Sequence, residues 1–159
     1  MARRLPYSAG DWCQVPLRDG RWGAGRIAYI HPGGKALVCY FFAPFAEPPS
    51  GDRLGTLEPG EAVLIGKCGD PAILRGAWPL IKTDAAFDVA RWPLPVFQNR
   101  DPITGVLRRV VYAEGDLLTP VVFSVSDDPS LTNAPSDGAM GTGFVEVRLT
   151  RLTETRPSQ

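Results

Sequence analysis

Glycine and proline constrain this chain more than any other feature of its sequence. The 159 residues include 17 glycines and 16 prolines. Both destabilise helix interiors, glycine through backbone entropy and proline through its missing N–H and a steric clash. A mostly helical fold is therefore excluded, and short strands separated by turns are expected. Apolar residues make up 44% of the chain, which is enough for a hydrophobic core in one domain of this length.

The first third of the sequence predicts a three-stranded antiparallel meander. Its strands are expected over Asp11–Leu17, Arg21–Ile30 and Lys35–Phe42. Asp19 and Gly20 separate the first two strands and are typical of a type I′ hairpin turn, which needs positive φ at both central residues. Gly23 and Gly25 leave part of one face of the second strand without side chains. This predicts a bulge, sharp coiling, or another backbone or ring packed closely against it.

Turn residues divide the rest of the chain into further short elements. A short helix is expected over Asp70–Gly76, a helical turn over Thr83–Ala90 and an irregular loop over Asp127–Thr142. Strands are expected over Ala62–Gly66 (within Leu57–Lys67), Trp78–Ile81 (at a sheet edge), Pro95–Asn99, Val106–Glu114, Pro120–Ser126 (buried) and Gly143–Leu152. The sequence therefore predicts a mainly β fold: a small, strongly curled antiparallel sheet or barrel with one or two short helices, with α+β as the alternative.

A single β-rich domain is expected over residues 10–152, with an N-terminal extension at 1–9 and a polar tail at 153–159. No segment approaches the roughly 20 apolar residues of a membrane-spanning helix, and the N-terminus lacks the apolar region of a signal peptide. Cys13, Cys39 and Cys68 are odd in number and lack metal or redox spacing, which favours reduced thiols. These features predict a cytoplasmic protein without a membrane partner.

No arrangement of residues in the sequence points to catalysis or to a bound metal or cofactor. His31 is the only histidine, and it precedes a turn without an identifiable orienting group. The cysteines and carboxylates match neither zinc spacing nor a calcium loop. The glycines around Gly23 lead into a strand rather than a helix N-terminus, which argues against a phosphate-binding loop. We therefore predict no enzymatic activity, no cofactor and no metal.

Charge is balanced overall, with 17 basic and 17 acidic residues, but it is unevenly distributed. The balance argues against a nucleic-acid partner, because binding to phosphates normally requires a basic excess. The stretch from Ala113 to Met140 contains no lysine or arginine and five acids: Glu114, Asp116, Asp127, Asp128 and Asp137. We predict an acidic edge here that docks a basic partner, with an ordinary solvated face as the alternative. Trp22, beside an exposed turn, is a further candidate because tryptophan is a typical binding anchor.

The residues from Gly10 to Arg26 carry the pattern G-D-x-x-x-V-P-L-x-D-G-R-x-G-x-G-R. Later segments follow in order at Tyr40–Phe42, Trp78–Ile81, Pro95–Phe97 and Gly143–Leu149. In these segments, over about residues 10–152, the chain resembles the immunity protein 26 family. The resemblance implies a role in bacterial polymorphic toxin systems, in which such a protein binds and neutralises a cognate toxin usually encoded beside it. A small β-barrel adaptor that binds a peptide or nucleic acid is the alternative hypothesis.

Overall fold

Two antiparallel sheets form the framework of the protein. The computed structural model describes residues 4–82 and 87–159. Within them the strands are β1 (Trp12–Pro16), β2 (Trp22–Ile30), β3 (Leu37–Phe45), β4 (Leu64–Cys68), β5 (Leu80–Ile81), β6 (Phe97–Arg100), β7 (Leu107–Val111) and β8 (Val122–Val125). The helices are α1 (Gly51–Leu54), α2 (Pro71–Leu74) and α3 (Thr142–Leu152), and 3₁₀ turns lie at Pro59–Glu61, Val89–Arg91 and Pro129–Asn133.

The large sheet has the strand order β4-β3-β2-β1-β5, and the small sheet has the order β6-β7-β8. All neighbouring strands pair antiparallel. The predicted mainly β class and the meander β1–β3 are therefore confirmed. The barrel alternative is wrong, because β4 and β5 form separate edges of the large sheet and the last three strands pair with one another instead of closing it.

The β1–β2 hairpin closes through a three-residue loop rather than the predicted type I′ turn. The Leu17 N–H donates to the Arg21 carbonyl at 2.9 Å, and Gly20 has a φ of +87°. Asp19 does not adopt positive φ, since Lys35 is the only non-glycine residue with positive φ in the described part of the chain. Three-residue loops that end on a left-handed residue are the next most common hairpin connection after two-residue turns.

Replacing Gly20 by valine is expected to lower the free energy of unfolding by about 1 kcal/mol or more. A Cβ atom at Gly20 would meet no atom within 4 Å, so the cost comes from backbone strain alone. Asparagine tolerates this conformation, and Gly20→Asn should therefore retain most of the stability. Urea unfolding checks the difference, and equal losses for the two variants would contradict the strain argument.

Strand β3 is buried over its whole length because both faces of the large sheet are covered. Its alternate residues contribute to two separate cores. The first core includes Tyr7, Cys13, Val15, Ile27, Leu37, Cys39, Phe41, Cys68, Trp78, Val145 and Leu149. The second core includes Trp12, Tyr29, Val38, Tyr40, Phe42, Leu54, Trp92, Phe97, Val110, Tyr112 and Leu117. Residues of α2 and α3 thus cover one face, and residues of the small sheet cover the other.

Other side chains pack closely against the face of β2 that carries Gly23 and Gly25, as predicted. A Cβ atom at Gly25 would lie 2.8 Å from Cε1 of Phe41, and one at Gly23 would lie 3.3 Å from Cδ1 of Leu149. The aromatic ring comes from the neighbouring strand and the leucine from α3. These two glycines therefore make room for an aromatic ring and a helix in the first core.

The segment predicted as the last strand, Gly143–Leu152, is instead part of α3, and that prediction is wrong. Its apolar residues alternate, but Val145 and Leu149 are also four residues apart, which is the spacing of one helix face. Both are fully buried. The Trp78 Nε1–H donates to the Glu146 carboxylate at 3.0 Å. Tertiary packing selects the helix where the local pattern fits both structures.

Several shorter elements agree with the sequence-based predictions. The helix predicted over Asp70–Gly76 is α2, and the edge strand predicted over Trp78–Ile81 is β5. Of the helical turn predicted over Thr83–Ala90, residues 83–86 lie outside the described residues, and Val89–Arg91 forms a 3₁₀ turn.

Both flanks of the predicted domain contact the large sheet. Tyr7 is buried in the first core, and its hydroxyl donates to the Asp70 carboxylate at 2.6 Å. The Arg21 guanidinium donates to the backbone carbonyls of Thr153 and Arg156 at 3.0 Å each. The division into an extension, a domain over residues 10–152 and a tail stays a prediction.

Candidate partner-binding surface

Three of the five predicted acids precede or follow β8, the outer strand of the small sheet, along the chain. Asp116 lies in the connection between β7 and β8, and Asp127 and Asp128 come after Ser126, which follows β8. The Asp116 carboxylate accepts hydrogen bonds from the Leu118 and Thr119 N–H groups at 2.9 and 3.0 Å. These two hydrogen bonds fix the Asp116 carboxylate within the β7–β8 connection.

Two of these carboxylates are stabilised in their charged form. The Leu118 and Thr119 N–H groups lower the pKa of Asp116. The Ser130 hydroxyl and N–H, which donate to the Asp128 carboxylate at 2.8 and 3.0 Å, lower the pKa of that residue. Hydrogen bonds to a carboxylate favour its ionised form. Both acids therefore stay charged to a lower pH than ordinary aspartates.

Glu114 and Trp22 do not lie together. Glu114 is exposed in the β7–β8 connection, where it lines a cavity of about 480 Å³ together with Tyr29. Trp22 is half-buried at the start of β2, opposite Phe45 of β3, and packs against the second core. The structure thus places Trp22 on the large sheet and Glu114 in a connection of the small one, and the binding roles of both residues stay predictions.

Asp137 belongs to a buried network rather than to an exposed edge. The Tyr112 hydroxyl donates to the Asp137 carboxylate. The Lys67 Nζ donates to the Tyr112 hydroxyl oxygen at 2.8 Å and lies 3.4 Å from the Asp137 carboxylate. Lys67 comes from β4, Tyr112 follows β7, and Asp137 lies in the loop before α3. The network connects three distant segments, and the lysine compensates the charge of Asp137.

Tyrosine hydroxyls also connect the large sheet to the segment that leads into β6. The Tyr29 hydroxyl donates to the Trp92 carbonyl at 2.9 Å, and the Tyr40 hydroxyl donates to the Pro93 carbonyl. Burial raises the pKa of Tyr40 to about 12 and also raises the pKa of Tyr29. Burial is the main cause that raises the pKa of Tyr112, and the neighbouring Asp137 carboxylate raises it further.

These shifts predict a loss of stability at alkaline pH. The unfolded chain releases the tyrosine protons near pH 10, whereas the folded protein holds them to higher pH. The stabilisation is therefore fully present below about pH 10 and is lost as pH rises through the folded-state values, by up to about 1.4 kcal/mol per pH unit for each tyrosine. Urea unfolding between pH 9 and 11.5 measures the slope. Tyr7→Phe, which removes another tyrosine with a raised pKa, should reduce it, and a flat profile would contradict the prediction.

One face of β8 is apolar and exposed to solvent. The strand predicted over Pro120–Ser126 exists, but the prediction that it is buried is wrong. Val121, Phe123 and Val125 are 65%, 54% and 64% exposed. An apolar run without charge has the same pattern whether its own chain or a partner covers it. The sequence therefore shows the apolar run but does not show whether the run is exposed to solvent.

A groove of about 890 Å³ was also missed. It lies between the edge of β4 at Leu64, the loop before α3, and the α3 residues Phe144, Arg148 and Arg151. Phe144 is largely exposed. The sequence pattern predicts a strand for this segment, in which these three side chains would not lie on one face.

The only histidine has a local structural role. The Leu117 N–H donates to Nδ1 of His31 at 3.2 Å, and the same nitrogen lies 3.8 Å from the Asp116 carboxylate. His31 thus holds the middle of the β7–β8 connection. Across the described residues, no three His, Cys, Asp or Glu side chains are grouped to hold a metal ion. No helix in this part of the chain has the length and apolar character needed to cross a membrane.

A family model described as Immunity protein 26 matches residues 8–105, which is more than half of the chain. The chain belongs to the immunity protein 26 family. Membership of this family implies a toxin-neutralising immunity function. The matched residues include the whole large sheet and β6, whereas β7, β8 and α3 of this immunity protein 26 member lie beyond them. No curated protein and no solved structure gave a significant match.

Proposed function

We propose that the chain is an immunity protein that binds one cognate bacterial toxin domain and neutralises it by non-covalent occlusion. The match of residues 8–105 to the immunity protein 26 family is the observation that carries this proposal. In this role the chain acts as a stoichiometric inhibitor rather than as an enzyme, within a polymorphic toxin system in the bacterial cytoplasm. Its partner is the toxin encoded beside it.

The structure supports this proposal through a surface suited to a protein partner. Exposed apolar side chains on β8 are flanked along the chain by acids, and interface centres are commonly apolar with a charged rim. Asp116, Asp127 and Asp128 supply that rim. A toxin that acts on phosphates needs a basic active-site surface, and an acidic rim complements such a surface.

The direct test is co-expression of the chain with the product of the neighbouring toxin gene. We expect the two proteins to purify together in a one-to-one complex and the toxin to be inactive in it. Inhibition at ratios far below one chain per toxin would contradict stoichiometric occlusion, and the absence of a complex would contradict the proposed function.

Charge reversal at Asp127 and Asp128 is expected to slow association with the toxin by roughly threefold to tenfold at low ionic strength. The dissociation rate should change little, and the difference should shrink as salt is added. Asp137 is left unchanged because its carboxylate belongs to the buried network. Stopped-flow association kinetics measure the effect.

The matched control is Glu47→Lys combined with Asp52→Lys, which makes the same change of charge at exposed residues after β3 and in α1. This control should associate nearly as fast as the unmodified chain. An equal slowing by both double variants would indicate a general effect of net charge and would contradict an acidic docking edge.

A further inference from the structure

We propose that the outer edge of β8 receives an extended segment of the cognate toxin as a fourth strand of the small sheet. The inference rests on the proposed function and specifies how the toxin is bound. In strand addition, backbone hydrogen bonds supply affinity and alternate side chains supply specificity.

The backbone of β8 is open on its outer side. Within the residues that the structure describes, β7 is the only strand that pairs with it. The Ser126 N–H donates to the Leu107 carbonyl at 3.0 Å. In an antiparallel ladder the direction of the backbone groups alternates, so Phe123 and Val125 turn their N–H and C=O groups outward.

The other sheet edges are each shortened or covered. On β6, Gln98 exchanges backbone hydrogen bonds of 2.8 Å with Pro135 and Asp137. On β4, Met140 donates to the Lys67 carbonyl at 2.8 Å. Strand β5 has two residues and follows a proline. Proteins commonly protect exposed edges with lysine, proline, bulges or short strands. No residue within β8 is a lysine or a proline, which fits an edge that a partner covers.

The side chains of β8 continue a row that is buried in the rest of the sheet. Phe97, Val110 and Phe123 are cross-strand neighbours on β6, β7 and β8. The first two are fully buried and the third is 54% exposed. A fourth strand with an apolar side chain beside Phe123 would extend this row by one residue and remove the exposed ring from water.

Charge indicates which strand fits. Leu117–Ser126 contains no charged residue, and acids lie at both of its ends, at Asp116 and at Asp127 and Asp128. On the neighbouring β7, the positive charge of Arg108 is partly compensated by the Asp101 carboxylate, which lies 3.9 Å away. The complementary segment therefore has an apolar centre and lysine or arginine at its ends. A second copy of this chain, paired antiparallel, would place acids opposite acids at both ends, which is unfavourable.

The test compares two variants of Val125 in the full chain, with the cognate toxin domain as the ligand. Val125→Pro removes one outward N–H and leaves the β7 side of the ladder intact, since proline is tolerated where its nitrogen faces solvent. We expect toxin affinity to fall about tenfold or more. Val125→Thr keeps both the N–H and the shape, and it should bind within about threefold of the original chain.

Amide hydrogen exchange on the unmodified complex gives a second readout that stands even if Val125→Pro fails to fold. The Phe123 and Val125 amides should exchange rapidly in the free chain and slowly in the complex. A complex that forms without this protection overturns strand addition at β8 and leaves the proposed function standing. A folded Val125→Pro variant that binds the toxin with unchanged affinity would likewise overturn strand addition at β8 and leave the proposed function standing.

Two other outcomes are distinguishable from these. If the unmodified chain forms no complex with the toxin, the proposed function is wrong and the inference fails with it. Sedimentation of the free chain tests whether a second copy of the chain covers β8. A dimer that Val125→Pro converts to a monomer would show that it does. This result would overturn the assignment of the β8 edge to the toxin.

Discussion

Replacing Asp137 by alanine is expected to lower the free energy of unfolding by about 3 kcal/mol. The change removes the carboxylate 3.4 Å from the Lys67 Nζ and leaves a buried ammonium without its counter-charge. Losing one partner of a buried ion pair typically costs this much, because the remaining charge stays desolvated. Urea unfolding of the purified variant measures the loss.

Asp127→Ala is the matched control, because this acid belongs to the same loop but is exposed. It should change stability by less than about 0.5 kcal/mol. A double variant, Lys67→Met with Asp137→Leu, removes both charges and should lose less than the sum of its single variants. Additive losses would show that the two side chains do not act as a pair.

Replacing Gly25 by alanine is expected to lower the free energy of unfolding by about 2 kcal/mol, since overpacking a rigid core commonly costs 1–3 kcal/mol. The added methyl group would lie 2.8 Å from the Phe41 ring and 3.2 Å from the Cys13 sulfur. Both neighbours are fully buried in the first core. Thermal or urea unfolding measures the effect.

The control is Gly60→Ala, where a Cβ atom would meet nothing within 4 Å. That variant should stay within about 0.5 kcal/mol of the original chain. Adding Phe41→Leu to Gly25→Ala should recover part of the loss, because a smaller side chain makes room for the methyl group. If the second change only deepens the loss, close contact with the ring is not the cause.

The sequence predicted the N-terminal meander because its information is local. Gly20 marks the loop, and the alternation in Arg21–Ile30 marks the paired strand. The prediction for Gly143–Leu152 was wrong because Val145 and Leu149 satisfy both a two-residue and a four-residue spacing. The choice between them depends on Gly23, which lies about 120 residues away in the chain and whose space Leu149 fills.

The candidate site was only partly predictable for the same reason. The acids of Ala113–Met140 were visible as a composition bias, and Asp116, Asp127 and Asp128 flank β8 along the chain. Nothing local to Asp137 indicates that Lys67 compensates its charge. The exposure of Phe123 depends on the absence of a strand beside β8 in the described residues, and a pattern within one segment carries no information about its neighbours.

The burial of β3 on both faces fixes its register against β2. A shift of one residue against β2 would exchange two rows of side chains, moving Tyr40 into the space of Phe41 and separating its hydroxyl from the Pro93 carbonyl that it bonds. The displaced hydroxyl would then lie among the cysteines of the opposite core. Because each row fits only its own side, incorrect pairings of this strand are penalised in both cores simultaneously. The chain therefore selects one alignment of its central strand without relying on any single contact.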